Sequence, residues 1–394
     1  MKKKARLETL LISGGYDGDE KTGSLAIPIY RTAAYAFKDT EDARRLFAGE
    51  KEGFIYSRIN NPTVDILEKR MALAEGGEAG LAASSGMAAI LLVAAHLAKN
   101  GGEIVSSDRI YGGTFNLFNK TLRGLGIRAR FVKNPYQIDD WAREISANTR
   151  FLYVETPSNP TLDILDIQKL AGLAKERRLI LVVDNTVATP ALQTPLKLGA
   201  DIVIHSLTKY IAGNGTDIGG MIVGKKELID KIRQEEYRDF GPCLNPEAAW
   251  LFLLGLETLT LRMRKHCQNA LKVAKFLRKH PKVLKVNYPG LPEHPLHAIG
   301  KKQMKGFSGL LSFELKGTFE QAKKFIESLS LCRHVANLGD SKTLAIHPAS
   351  TTHEQLGIEG RKQAKIPETM IRMSIGLENA ADIIEDVKSA LSKI

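Results

Sequence analysis

The chain alternates short, almost wholly apolar runs with longer stretches in which apolar residues recur at helical spacing. GEIVSS, RARFVK, RFLYVET, LILVVDNT, ADIVIHS and GGMIVG are rich in Val and Ile and predict buried strands. Between several of them, YGGTFNLFNKTLRGL, DDWAREI and DIQKLAGLAKERR predict helices. Such alternation predicts a mostly parallel sheet covered on both faces, with ligands bound beyond the carboxyl ends of the strands. From NPEAAWLFLLGLETLTLRMRKHCQNALKVAKFLRKHP the pattern turns almost entirely helical. A second strand set follows (VLKVNYP, GLLSFEL, MIRMSIG), with the helices TFEQAKKFIESL and AADIIEDVKSAL. This predicts an arm over 1–60 that packs on another subunit, an α/β domain over 61–255, and a smaller C-terminal α/β domain over 256–394.

Composition changes this picture little. The 394 residues, 43% hydrophobic and 25% charged, are those of a soluble globular chain with more than one core. Apolar runs such as AAILLVAAHLA are too short to span a bilayer, so no membrane role is expected. The basic start MKKKARLETLLISGG has its apolar stretch broken by Glu8 and Thr9, which predicts a cytoplasmic protein. Cys243, Cys267 and Cys332 lie far apart, against a disulfide scaffold or a cysteine-rich zinc site. A net charge of +12 would suit an anionic ligand or a nucleic acid. The basic residues alternate with acids, as in KKELIDKIRQEEYRD, and form no basic block interleaved with aromatics. No nucleic-acid partner is therefore expected; a basic nucleic-acid-binding protein with a vestigial cofactor site is the competing reading.

Several familiar motifs fail. GNGTDIG lacks the third glycine of a dinucleotide turn, HEQLG lacks the second histidine of a zincin helix, and no phosphate loop or nucleophile elbow occurs. No metal site is expected. What remains is a set of strand ends. LVVDNT places Asp184 at the end of an apolar strand, where a carboxylate is costly without a cation or donor. The next strand ends in HSLTKY, with Ser206, Thr208 and Lys209. A partly desolvated lysine has a lowered pKa and forms Schiff bases. In ASSGMAA, Ser85, Gly86 and Met87 stand at a strand-to-helix turn suited to an anion, although a Ser-Ser-Gly turn alone is more often a simple cap. A phosphate cradle, an acidic strand end and a lysine together are the requirements of pyridoxal 5'-phosphate.

With YSRINNPT, YGGTFNLF, VETPSNPT, HPASTTH and IRMSIGLE in the same order, the sequence resembles the pyridoxal-phosphate enzymes of cysteine and methionine metabolism over nearly its full length. The resemblance implies a fold type I (aspartate aminotransferase-like) α/β architecture and a homotetramer of two dimers with shared active sites. It implies that Lys209 holds the cofactor and moves protons, that Asp184 pairs with the ring nitrogen, and that Tyr111 stacks on the ring and assists proton transfer. Ser85, Gly86, Met87, Ser206 and Thr208 would hold the phosphate, joined by Tyr56 and Arg58 from the neighbouring subunit. Asn159 would lie near the phenolic oxygen, and Asn337 and Arg372 would meet the substrate, Arg372 through its α-carboxylate.

The reaction is decided around the substrate side chain. Members acting on cystathionine carry a glutamate before the serine of an S-L-G stretch, whereas VANLGD has Ala336 and Asn337 there. The distal ammonium of cystathionine then loses its partner. Methionine γ-lyases carry a cysteine after the stacking tyrosine, where this chain has Gly113. Resemblance is greatest to O-acetylhomoserine sulfhydrylases, which implies γ-replacement by sulfide or methanethiol on the activated homoserine ester. Elimination from methionine to 2-oxobutyrate, ammonia and methanethiol is the alternative.

Overall fold

The computed structural model describes residues 5–352, 354, 357–358, 361 and 366–394. His353, the last residue of HPASTTH, lies outside them. Two sheets organise the chain. The larger has seven strands: β1 (Ala79–Ala83), β2 (Glu103–Ser107), β3 (Arg128–Val132), β4 (Thr149–Glu155), β5 (Ile180–Asp184), β6 (Ile202–Ser206) and β7 (Gly220–Gly224), in the order β1-β7-β6-β5-β4-β2-β3. All six apolar runs named above form strands, because each is short, β-branched and bounded by turn residues. β7 pairs antiparallel with both β1 and β6, so it alone runs against the rest. The sheet is mostly parallel, as the alternating pattern predicts.

Helices cover both faces. The first helices in chain order are α1 (Leu7–Ser13), α2 (Thr40–Phe47), α3 (Pro62–Glu75) and α4 (Gly86–Ala98), of which α3 and α4 lie on opposite faces. α3 begins with the Asn61 side chain accepting from the Thr63 N–H and ends at Gly76, whose φ of 76° is left-handed. α4 packs Ile90, Val93 and Ala94 into a cluster with Val182, Ile204 and Ile222 of the sheet. On the other face, Met71 of α3 packs with Met221 and Val223.

The helical stretch after Asn245 is two helices, Pro246–Glu257 and Leu259–Lys279, broken at Thr258. The second helix carries Met263 into the core of the large sheet and Val273 and Leu277 into that of the small one. The smaller sheet contains β8 (Val283–Asn287), β9 (Leu310–Leu315), β10 (Arg333–His334), β11 (Leu344–Ile346) and β12 (Met370–Ser374), in the order β10-β11-β12-β9-β8. β10 and β11 are too short for their pattern to mark them as strands.

The first sixty residues, expected to be an arm packed on another subunit, begin with a helix packed on their own chain. α1 is a helix whose Leu11 is buried in the same core as Leu67 and Phe252 of its own chain. Beyond it the segment is largely irregular and exposes Leu25, Phe37 and Phe47.

Register places the chemistry. Ala83 and Ser206 both pair with Gly220, Asp184 pairs with Ile204, and Glu155 pairs with Asp184. The ends of β1, β4, β5 and β6 therefore reach one edge of the sheet together. β12 and the loop before β11 bring Arg372 and Asn337 over that edge, as their hydrogen bonds to Asn159 and Lys209 show.

Candidate active site

Lys209 follows the end of β6, and its Nζ donates to Asn337 Oδ1 at 2.6 Å. Burial, and secondarily the Arg372 charge, pull its pKa down to about 8. An amine of this kind is about one-tenth neutral at pH 7, far more than a free lysine, and the neutral fraction is nucleophilic.

Asp184 is buried at the end of β5. One carboxylate oxygen accepts from the Thr186 N–H at 3.0 Å, the other from the Tyr153 hydroxyl at 3.2 Å. Both donors are neutral. Burial raises its pKa, opposed chiefly by the Thr186 bonds. A buried carboxylate with only neutral donors suits a ligand that brings a protonated ring nitrogen.

α4 starts against the end of β6. A Cβ on Gly86 would stand 2.8 Å from Ser206 Cβ, so only glycine allows this approach. Ser85 is the cap of α4, its Oγ accepting from the Ala88 N–H at 3.0 Å. The N–H groups of Gly86 and Met87, in the first turn, have no partners inside the helix and point out of its positive end. Thr208 Oγ1 exchanges hydrogen bonds with the Gly219 backbone, accepting from its N–H at 3.1 Å. Ser85 and Thr208 thus shape the cradle while their hydroxyls already have protein partners.

Arg372 is fully engaged except at one atom. Nη1 donates to Asn159 Oδ1 at 3.1 Å and Nη2 to the Asn337 carbonyl at 2.8 Å, while Nε is buried without a partner. Burial lowers its pKa to about 10. A buried guanidinium with an orphaned donor suits an incoming carboxylate. Tyr111 is half exposed, and its ring lies over Gly113, where a Cβ would stand 2.5 Å from the ring.

Tyr56 and Arg58 are not joined to this cluster. The Arg58 guanidinium lies 5.7 Å from the Tyr56 ring centroid and donates to the Arg238 carbonyl. Among the described residues, no hydrogen bond or ion pair links either to Ser85–Met87, Asp184 or Lys209.

Two further residues belong to the site. Glu155, buried at the end of β4, accepts the N–H groups of Tyr111 and Asn159, each at 2.7 Å. Burial and the nearby Asp184 push its pKa well up. The signal in RFLYVET is the one that singles out Asp184: an acid closing an apolar strand. Tyr153, which donates to Asp184, alternates inside that strand and carries no comparable signal.

The first-turn N–H groups, the buried carboxylate and the depressed lysine together fit pyridoxal phosphate, and the orphaned Arg372 donor fits a carboxylate substrate beside it. The family described as Cys/Met metabolism PLP-dependent enzyme matches residues 8–392. An O-acetyl-L-homoserine sulfhydrylase of Leptospira meyeri is 44% identical, over 98% of this chain and 97% of its own length. An L-methionine gamma-lyase of Fusobacterium nucleatum subsp. polymorphum is 46% identical, over 94% of each chain. The crystal structure of an O-acetylhomoserine (thiol)-lyase of Campylobacter jejuni, which contains N'-pyridoxyl-lysine-5'-monophosphate, superposes with a TM-score of 0.95. It is 40% identical, covering 98% of this chain and 100% of that one. By sequence and by fold, this chain belongs to the pyridoxal-phosphate-dependent enzymes of Cys/Met metabolism.

Proposed function

We propose that the chain catalyses γ-replacement on O-acetylhomoserine, with sulfide or methanethiol giving homocysteine or methionine. The carrying observation is Gly113. Its missing side chain lets the Tyr111 ring lie directly over it, in space that the cysteine expected of a methionine γ-lyase would fill. VANLGD supports the same reading, because Asn337 spends its side-chain oxygen on Lys209, and Ala336 offers no carboxylate to a distal ammonium.

In this reading Lys209 Nζ holds the cofactor, with Asp184 facing its ring nitrogen and Tyr111 its ring. Gly86 and Met87 N–H groups, with Ser85, Ser206 and Thr208, hold the phosphate, and Asn159 the phenolic oxygen. The bound cofactor supplies an electron sink for charge developing on the substrate carbons. Arg372 directs its free Nε to the α-carboxylate, and Asn337 fixes both the lysine and the arginine. Lys209 Nζ, released from the cofactor when the substrate amine takes its place there, would take the α-proton and then move a β-proton. Acetate leaves the γ-carbon, the thiol sulfur adds there, and the lysine returns the protons. Each group acts at a fixed position, so binding energy is directed to orientation.

Tyr56 and Arg58 are assigned to the neighbouring subunit's phosphate site in a cytoplasmic homotetramer. Exposed Leu25, Ile29, Phe37 and Phe47 in the same arm support that assembly. The arm (1–60), the cofactor-binding domain (61–255) and the C-terminal domain (256–394) are proposed as the organising units, with α1 packed into its own subunit.

The purified holoenzyme is given O-acetylhomoserine with sulfide and, separately, methionine alone. The replacement reading expects homocysteine from the first and little 2-oxobutyrate from the second. Rapid 2-oxobutyrate from methionine without homocysteine from the ester overturns it in favour of elimination. Similar relatedness to a methionine γ-lyase makes that second assay necessary.

A further inference from the structure

Behind the cofactor edge, on the other side of the sheet, lies a polar cluster. Glu75, the last residue of α3, is fully buried, as is His205. Its Oε1 lies 2.7 Å from His205 Nε2 and accepts from Asn185 Nδ2 at 2.8 Å. Its other oxygen is buried without a partner. Asn185 also donates to the Gln193 carbonyl at 2.9 Å and accepts from Gln193 Nε2 at 3.0 Å.

The position of the two donors gives the cluster its meaning. Asn185 directly follows Asp184, and His205 directly precedes Ser206. The β5–β6 pairing ends at Asp184 and Ile204, after which the Asn185 N–H to the Ile204 carbonyl is the last backbone bond. Past that point β5 and β6 share no backbone ladder; β6 stays paired with β7 through Ser206, and side chains tie its end to that of β5, namely the Thr186 hydroxyl, which accepts from the Ser206 N–H at 2.8 Å, and the Glu75 cluster.

We propose that Glu75 is a positioning residue that fixes the spacing between Asp184 and the Ser206–Lys209 segment. One carboxylate oxygen ties the two chain ends together from behind. Burying a carboxylate with one oxygen unpartnered is costly, and an apolar residue would fill the volume without that cost. The polar cluster therefore adds a second tie to the Thr186–Ser206 hydrogen bond, so that both together hold the two strand ends at one spacing. A ligand held at once by Asp184, Ser206 and Lys209 senses any change in that spacing.

The inference rests on the assignment of Asp184 and Lys209 to the cofactor. Pyridoxal-phosphate affinity of the apoenzyme is measured by fluorescence quenching, together with the pH titration of the visible band and thermal unfolding. Variants are Glu75→Ala, Glu75→Gln, Asn185→Ala, Glu75→Ala with Asn185→Ala, and Lys209→Ala. Glu75→Ala is expected to weaken cofactor binding about tenfold or more and to displace the titration midpoint. In Glu75→Gln the amide oxygen can accept the same two hydrogen bonds, so this variant is expected within about threefold of the parent. Asn185→Ala should weaken binding alone and add little on top of Glu75→Ala, because both cut one tie.

A folded Glu75→Ala protein with unchanged affinity and titration overturns the proposal. So does E75Q as damaged as E75A, which would make charge and not the tie decisive, or strict additivity of the two alanines. If Glu75→Ala does not fold, an Asn185→Ala protein with unchanged affinity overturns it. Retention of the visible band by Lys209→Ala would instead refute the cofactor assignment.

Discussion

Lys209 and Asn337 are joined by a 2.6 Å hydrogen bond from Nζ to Oδ1 that links the end of β6 to the loop before β11. The pair connects the large sheet to the small one at the atom expected to react. The lysine is half-buried and its pKa stands at about 8, well below that of a free lysine, because desolvation disfavours the ammonium.

That depressed value sets a pH dependence. The free amine captures the aldehyde, so the rate of visible-band formation in apoenzyme plus pyridoxal phosphate is expected to rise through about pH 8 and then level off. Between about pH 8 and about pH 10.4 the unfolded lysine binds a proton that the folded one has lost. Lys209 therefore makes apoenzyme stability rise with pH across that window. Lys209→Met should abolish the band and remove this contribution from urea-unfolding curves. A capture midpoint near that of free lysine would contradict the assignment.

Asn337 and Arg372 should move that midpoint in opposite directions. Asn337→Ala removes an acceptor that favours the ammonium, so the midpoint falls. Arg372→Leu removes a repelling cation, so it rises. The arginine variant should also raise KM for the amino-acid substrate about a hundredfold, the scale of a lost charged hydrogen-bond pair. Stopped-flow capture profiles and steady-state kinetics separate the two effects. A common direction of shift would refute the charge argument.

Gly86→Ala tests the cradle. The added methyl would meet Ser206 Cβ at 2.8 Å and Cα at 3.1 Å, so α4 and β6 must part. Overpacking of this kind costs about 1–3 kcal/mol. Because the displaced groups are the proposed phosphate donors, cofactor affinity should fall by at least as much as stability. Equilibrium dialysis and thermal unfolding read the two separately, and an unchanged affinity would remove Gly86 from the site.

The legible parts of the fold are those in which one local pattern decides the outcome. LILVVDNT and ADIVIHS are buried on both faces, so they are apolar throughout and their terminal Asp184 and Ser206 stand out. Lys209 is identifiable from its place after such a strand. β10 and β11 are held by pairing with neighbours more than by pattern, and no local signal marks them. The reversed direction of β7 depends on its pairing with β1 and β6, residues distant in sequence. Glu155 carries the same strand-end signal as Asp184, yet its meaning depends on the backbone of Tyr111 and Asn159, which the fold brings to it. Glu75 sits in LAEGGE, which looks like an ordinary helix terminus, and only burial against His205 and Asn185 gives it significance.

The N-terminal segment separates two kinds of apolar residue. Leu11 is 1% exposed within its own subunit, whereas Leu25 is 89% and Phe47 68% exposed. Leu11→Ala should therefore cost about 2–5 kcal/mol of folding stability, the range for a buried leucine. That loss should appear as a lower urea midpoint at every protein concentration. Leu25→Ser with Phe47→Ser removes exposed apolar surface that the proposed assembly would cover, so it should act on association. Light scattering is expected to show the double variant as a smaller species than the parent at the same concentration. Its cofactor affinity should fall in step, since Tyr56 and Arg58 would no longer reach a partner's phosphate site. A double variant with unchanged mass and affinity would return both residues to ordinary surface and remove the arm from the shared site.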